Sequence, residues 1–198
     1  MSKRFTTVIL AALVMLILLG CSKPPEQEMQ MASSAFDAAK AVEAELYAPE
    51  AYRAAMDTLN TAQAMKTEQD GKFALFRGYG KSKEMFVNAE AMANQAKTEA
   101  EAEKERVKML VTDLLAQAKT SLDATTAAFS KAPRGKGARA DLELIKSDLD
   151  AIVASYDAAT ADFNNGKYLA AKSKLEVIMN KAAQLQEEIS MAGKKKTP

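Results

Sequence analysis

The chain has 198 residues, 27 of them basic and 26 acidic, with no histidine, no tryptophan and a single cysteine. Near-balanced charge excludes the strong basic excess that a nucleic-acid backbone demands of its partner, and one cysteine excludes a disulfide framework. Abundant Ala, Glu, Lys, Leu, Gln and Met with little Gly and Pro favours long helices.

The chain opens with basic Lys3 and Arg4, an uncharged apolar run from Val8 to Leu19, and the small residue Gly20. That order is the pattern of a secretory signal. An apolar run of about a dozen residues falls short of the ~20 needed to cross a bilayer as a helix. The segment closes on Leu18-Leu19-Gly20-Cys21, which resembles the lipobox of bacterial lipoproteins. The resemblance implies cleavage between Gly20 and Cys21, diacylglycerol on the Cys21 thiol and an N-acyl lipid on its freed amine. Membrane lipid is then a partner through Cys21, and no other cofactor is expected. Ser22 stands where aspartate resembles an inner-membrane retention signal, so the resemblance favours the outer membrane, facing the periplasm.

Residues 21–27 contain Pro24-Pro25 and read as a short tether. From about Glu28 to Tyr47 a weak helical pattern carries mostly Ala with Phe36, Val42 and Leu46, ending at Ala48-Pro49. Proline suits the first position of a new helix. The chain therefore restarts over Glu50 to Gln69 after a kink, with Tyr52, Ala55, Leu59 and Ala62 on one face.

Asp70-Gly71 signals a turn, and Phe73 begins a helical pattern lasting to about Lys131. Gly78 and Gly80 interrupt it as a hinge or as a point where a neighbouring helix approaches closely. Beyond them Phe86, Ala89, Ala93 and Ala96 lead through the charged run Lys97 to Arg106 to Val107, Val111, Leu114, Ala118, Leu122 and Phe129. Unbroken, this helix would measure about 90 Å at 1.5 Å per residue.

Ala132 to Gly137 holds one proline and two glycines and reads as a loop. Leu142, Ile145, Leu149, Ile152, Tyr156, Ala159 and Phe163 then recur at spacings of three and four. So do Tyr168, Ala171, Leu175, Ile178, Ala182, Leu185 and Ile189. Two such stripes joined by Asn164-Asn165-Gly166 predict an antiparallel helical hairpin over residues 138–191 with left-handed supercoiling. The Asn-Gly corner supplies residues that tolerate positive φ. Residues 192–198, with Lys194-Lys195-Lys196, form a basic tail. Asp70-Gly71-Lys72-Phe73 ahead of Lys81-Ser82-Lys83 echoes Asn165-Gly166-Lys167-Tyr168 ahead of Lys172-Ser173-Lys174, which suggests two hairpins of related design.

Counting from these turns sets Glu50 beside about Ala91, ends the first helix opposite about Lys108, and sets Phe163 near Lys108. The expected fold is all-α: elongated antiparallel helical hairpins in a coiled-coil-like bundle, sharing one long helix as a spine. Residues 28–131 form the first hairpin with the spine. A rod results.

The remaining motifs are weak as sites. Gly78-Tyr79-Gly80-Lys81-Ser82 ends like a phosphate-binding loop but has Leu75 where the first glycine belongs, and no strand precedes it. In the charged run Glu101 and Lys104, Glu103 and Arg106, and Glu105 and Lys108 stand three apart, where opposite charges pair on a helix surface. Met29-Gln30-Met31 offers soft thioethers but no histidine or free thiol to complete a copper(I) site. No metal site is expected. Without a histidine base, a free thiol or a serine on a strand-to-helix turn, the chain has no catalytic residues and reads as a non-enzyme.

Leu46-Tyr47-Ala48-Pro49-Glu50, the alanines and Leu59 after it, and Gly71-Lys72-Phe73 together resemble a group of Ala-rich bacterial envelope lipoproteins. The likeness covers about Ala38 to Ala96 and implies a helix, a corner and a return helix. It carries over no functional residue. Two functions follow as expectations: a structural or scaffolding lipoprotein that engages another envelope protein or the cell wall, with oligomerisation open, or an accessory that offers an apolar groove to an unfolded client or a lipid.

Overall fold

The computed structural model describes residues 23–133 and 139–194. Every regular element among them is helical. The order is α1 (Glu26–Ala41), α2 (Ala44–Tyr47), α3 (Pro49–Asp70), a 3₁₀ turn (Ala74–Phe76), α4 (Gly80–Ser130), α5 (Arg139–Asn164) and α6 (Tyr168–Lys194). The chain divides into two compact units, one up to Glu103 and one from Lys104, so α4 contributes its first half to one and its second half to the other.

In the first unit three helices pack around a seam of alanine. Ala32, Ala39, Ala55, Ala62, Ala89, Ala93, Ala96 and Ala100 are fully buried, and Phe86 supplies the largest buried side chain among them. Ala32 of α1, Ala62 of α3 and Phe86 of α4 meet at one point, with Met29, Leu59 and Met85 packed around them. Small side chains let helix backbones approach closely, and each contributes little buried area, so the single phenylalanine matters more than its neighbours.

The path of α1 corrects the expected kinked arm. Glu26 lies 3.7 Å from Lys66, near the far end of α3, and the rings of Phe36 and Tyr52 meet edge to face at 5.8 Å. Helix α1 thus runs antiparallel to α3. Glu28 pairs with Lys83 at 2.8 Å, placing the start of α1 beside the start of α4 rather than running α1 on toward Lys108. The reversal is made by Glu43, whose φ of 61° is left-handed, and by the single turn of α2. Pro49 does open α3 as its first helical residue. Helix α1 also begins earlier than expected: Pro25 caps it, the Met29 amide donating to the Pro25 carbonyl at 2.9 Å, so Glu26 and Gln27 belong to the helix and not to a tether.

The start of α4 is a second correction. Phe73 lies in a loop, the helix begins at Gly80, and from there it continues unbroken for 51 residues. Gly78 therefore precedes the helix and Gly80 opens it, and neither interrupts it. A Cβ at either would meet open space, which removes the close-approach reading as well. The loop also resets the register: Thr58 contacts Met92, about nine residues away from the expected pairing that set Glu50 beside Ala91. Gly71 has an ordinary right-handed φ of −73°, whereas Gly166 has +76°, so the two glycine corners of the suggested repeat are built differently.

The second unit matches its pattern closely. Leu142, Ile145, Leu149, Ile152 and Ala159 of α5 are buried, as are Ala171, Leu175, Ile178, Ala182, Leu185 and Ile189 of α6, with Tyr156 and Phe163 partly covered. At the corner the Gly166 amide donates to Phe163 O at 3.0 Å and the Lys167 amide to Asp162 O at 2.8 Å, the paired bonds that close a helix through a left-handed glycine. Tyr156 donates its hydroxyl to Leu115 O at 3.4 Å, the register that sets Phe163 near Lys108. Helix α6 extends to Lys194 with Ala192 buried, so the first part of the expected basic tail is helical.

Candidate functional site

A polar cluster in the first unit closes the end where α3 turns into α4. Asp70, the last residue of α3, accepts from Lys66 Nζ at 2.9 Å and from the Tyr79 hydroxyl at 2.5 Å. Arg77 reaches back to donate Nε to Lys72 O and Nη2 to Asp70 O, each at 2.9 Å, and the Gly78 amide donates to Gln69 Oε1 at 3.0 Å. These bonds satisfy carbonyls left open at the end of α3 and brace residues 71–79. The Tyr79 hydroxyl and, after it, Lys66 hold the Asp70 carboxyl below its ordinary pKa; Asp70 in turn raises the pKa of both Tyr79 and Lys66. Beside them the Lys83 bond lowers the pKa of Glu28, and Lys72 lowers that of Glu68.

Beside this cluster the loop presents apolar side chains to the surface. Phe73, Leu75 and Phe76 are exposed, the two rings 6.3 Å apart. Tyr79 is buried, and Ser82 is buried with its hydroxyl donating to Tyr79 O at 3.0 Å. The Gly-Tyr-Gly-Lys-Ser segment thus builds a helix start instead of a phosphate cradle. A helical reading of Phe73 to Phe76 hid this loop, since three apolar residues within four positions also suit a helix face.

The second unit carries a buried polar contact that the stripe pattern misses. Thr125 occupies a core position of α4; its hydroxyl donates to Ser121 O at 2.8 Å and approaches Ala182 O at 3.4 Å, while Gln186 of α6 donates Nε2 to Thr125 Oγ1 at 2.9 Å. Satisfied in this way, the hydroxyl fixes how α6 sits along α4. In the first unit the buried Tyr52 hydroxyl meets no acceptor in hydrogen-bond geometry, and burial, followed by nearby Glu45, raises its pKa.

The described concave surface includes open grooves between helices. One of about 290 Å³ lies between α5 and α6, with Ala151, Ile152, Val177 and Ile178 in its floor and Asp148, Lys174 and Lys181 on its rim. Met29 packs into the core while Met31 points outward, so the two thioethers diverge. No group of three His, Cys, Asp or Glu side chains able to hold a metal occurs among the described residues. In the charged run Glu105 pairs with Lys108 at 3.3 Å and Glu101 with Lys97 at 3.8 Å, both on exposed helix surface.

Gly20 and Cys21 lie outside the described residues. No described helix is long and apolar enough to cross a membrane. Compared with known proteins, the chain matches no family model, and no curated protein or solved structure matches it.

Proposed function

We propose that this protein is a bacterial envelope lipoprotein, held by lipid on Cys21 at the periplasmic face of the outer membrane, with a structural or scaffolding role. The observation that carries the reading is Leu18-Leu19-Gly20-Cys21 closing an apolar run too short to span a bilayer, with the only cysteine of the chain at its end. Scaffolding is favoured over client binding because the long apolar stripes of α5 and α6 are buried against the protein's own helices. The partner in this reading is another envelope protein or the cell wall, engaged through exposed helix surface.

Intact mass and membrane fractionation test the anchor. The mature chain is expected to start at Cys21 with acyl mass added, and Cys21→Ser is expected to release the protein into the soluble fraction. Firm membrane retention of Cys21→Ser would defeat the anchor. Cross-linking in detergent tests the role: one stoichiometric envelope partner supports scaffolding, and a heterogeneous set of clients counts against it.

A further inference from the structure

We infer that the loop carrying Phe73, Leu75 and Phe76 is a second membrane contact, an apolar finger that enters the headgroup region of the same bilayer that holds the lipid on Cys21. The inference rests on the anchoring proposed above and adds to it a specific protein surface.

Phe73 is 70% exposed, Phe76 76% and Leu75 49%. They are adjacent on one short loop, which makes a contiguous apolar tip rather than the scattered surface hydrophobics found on any protein. The tip is held in shape without help from a partner. Arg77 ties the loop to Lys72 O and Asp70 O, the Phe76 amide donates to Phe73 O at 2.8 Å, and the Gly78 amide is bonded to Gln69. A braced loop loses little conformational freedom on entering an interface.

Its position identifies the occupant. Helix α1 begins at Glu26, and Glu26 lies 3.7 Å from Lys66, the same lysine that bonds Asp70 at the base of the loop. The chain therefore enters the first unit at the end that carries the tip. Cys21 precedes Glu26 by five residues, a reach of roughly 17 Å even fully extended. A bilayer holding acyl chains on Cys21 therefore lies within about 17 Å of Glu26, at the end of the first unit that carries the phenylalanines. Lys72, paired with Glu68 at 2.8 Å, and Arg77 flank the tip in the loop itself, and Lys23 lies three residues before Glu26, so basic side chains accompany the apolar ones at this end. Apolar side chains seated at the boundary between headgroups and acyl chains, flanked by basic residues, are the usual composition of an interfacial contact.

The test uses the full lipidated chain, in which Cys21 is a thioether and an added cysteine is the only free thiol. Leu75→Cys labelled with an environment-sensitive fluorophore is compared with Leu46→Cys, 60% exposed at the opposite end of the first unit. Both are reconstituted into vesicles of phosphatidylethanolamine and phosphatidylglycerol containing a nitroxide-labelled lipid. The label at 75 is expected to lose most of its emission to the nitroxide, within roughly 5–10 Å of the headgroup boundary, and the label at 46 to keep it. Phe73→Ser with Phe76→Ser in the Leu75→Cys chain is expected to restore emission while circular dichroism stays unchanged.

Equal quenching at 75 and 46 would overturn the inference. So would a label at 75 that is shielded from water yet untouched by the lipid nitroxide, since that marks a protein on the loop. Intact mass separates the two readings: acylated protein with equal quenching defeats the loop contact alone, and unacylated protein defeats the anchor together with the contact that depends on it.

Discussion

Gly166 and Glu43 are the two described residues with positive φ, and they do opposite things to the argument from sequence. Glycine at Gly166 is the residue type the left-handed conformation favours, and it closes α5 with both capping bonds made. Gly166→Ala is expected to cost about 1–2 kcal/mol in urea denaturation, because a Cβ meets the carbonyl in that conformation whatever the surrounding space. Gly78→Ala and Gly80→Ala are expected to stay within about 0.5 kcal/mol of the parent, since neither has positive φ and a Cβ at either meets nothing. A loss at Gly78 or Gly80 comparable to that at Gly166 would restore the hinge that the structure removes. Glu43 carries no preference for left-handed backbone, which is why the reversal it makes between α1 and α3 has no residue-type signature.

At the scale of elements, legibility followed how strongly each segment repeats. The stripes of α5 and α6 repeat at three and four with large Leu and Ile side chains, and burial follows them residue by residue. The first unit uses alanine at most core positions, and alanine is equally at home on a helix surface, so its three-helix packing left a fainter trace. Two loops disguised themselves further. Pro49 signals a helix start but not the reversal just ahead of it, and Phe73 to Phe76 imitates a helix face while forming the exposed tip. The proposed site at Cys21 rests on a short local motif; the Asp70 cluster has no such signature, because Arg77 and Tyr79 reach Asp70 only once the loop after α3 turns back on it.

That cluster gives the joint between α3 and α4 a pH dependence of defined sign. Asp70 has its pKa lowered on folding, first by the Tyr79 hydroxyl and then by Lys66, with Arg77 contributing charge. The stabilisation is complete above the unfolded carboxylate value of about 3.9 and is lost as pH falls through that value toward the lower folded one. The urea midpoint of the parent is expected to fall between about pH 5 and pH 2, and Asp70→Asn is expected to be less stable near neutrality with a flatter acid limb. An unchanged acid limb in Asp70→Asn would assign the dependence to Glu28 or Glu68 instead.

At the scale of the whole molecule, the boundary between the two units falls inside a helix. Glu103 and Lys104 are consecutive residues of α4, with helical backbone on both sides. Domain boundaries usually lie in exposed linkers, and protease sites concentrate where few bonds hold the backbone. Lys104, Arg106 and Lys108 offer trypsin three sites beside this boundary. Each is expected to resist cleavage under native conditions, followed by mass spectrometry of a digestion time course, until the chain unfolds globally. Early cleavage at any of them would show that α4 opens locally where the units divide.

The continuity of α4 also bears on how the protein assembles as it is made. Starting a helix is the unfavourable step, with a nucleation constant on the order of 10⁻³, whereas each added residue extends it readily. The alanine seam of the first unit is finished once Ala100 has emerged. Where the first unit orders first, the end of α4 is a seed that residues 104–130 join by extension without a start of their own. The amino-terminal half thereby serves as a primer for the carboxy-terminal half, and a fragment beginning at Lys104 would have to supply for itself the one turn that the intact chain inherits.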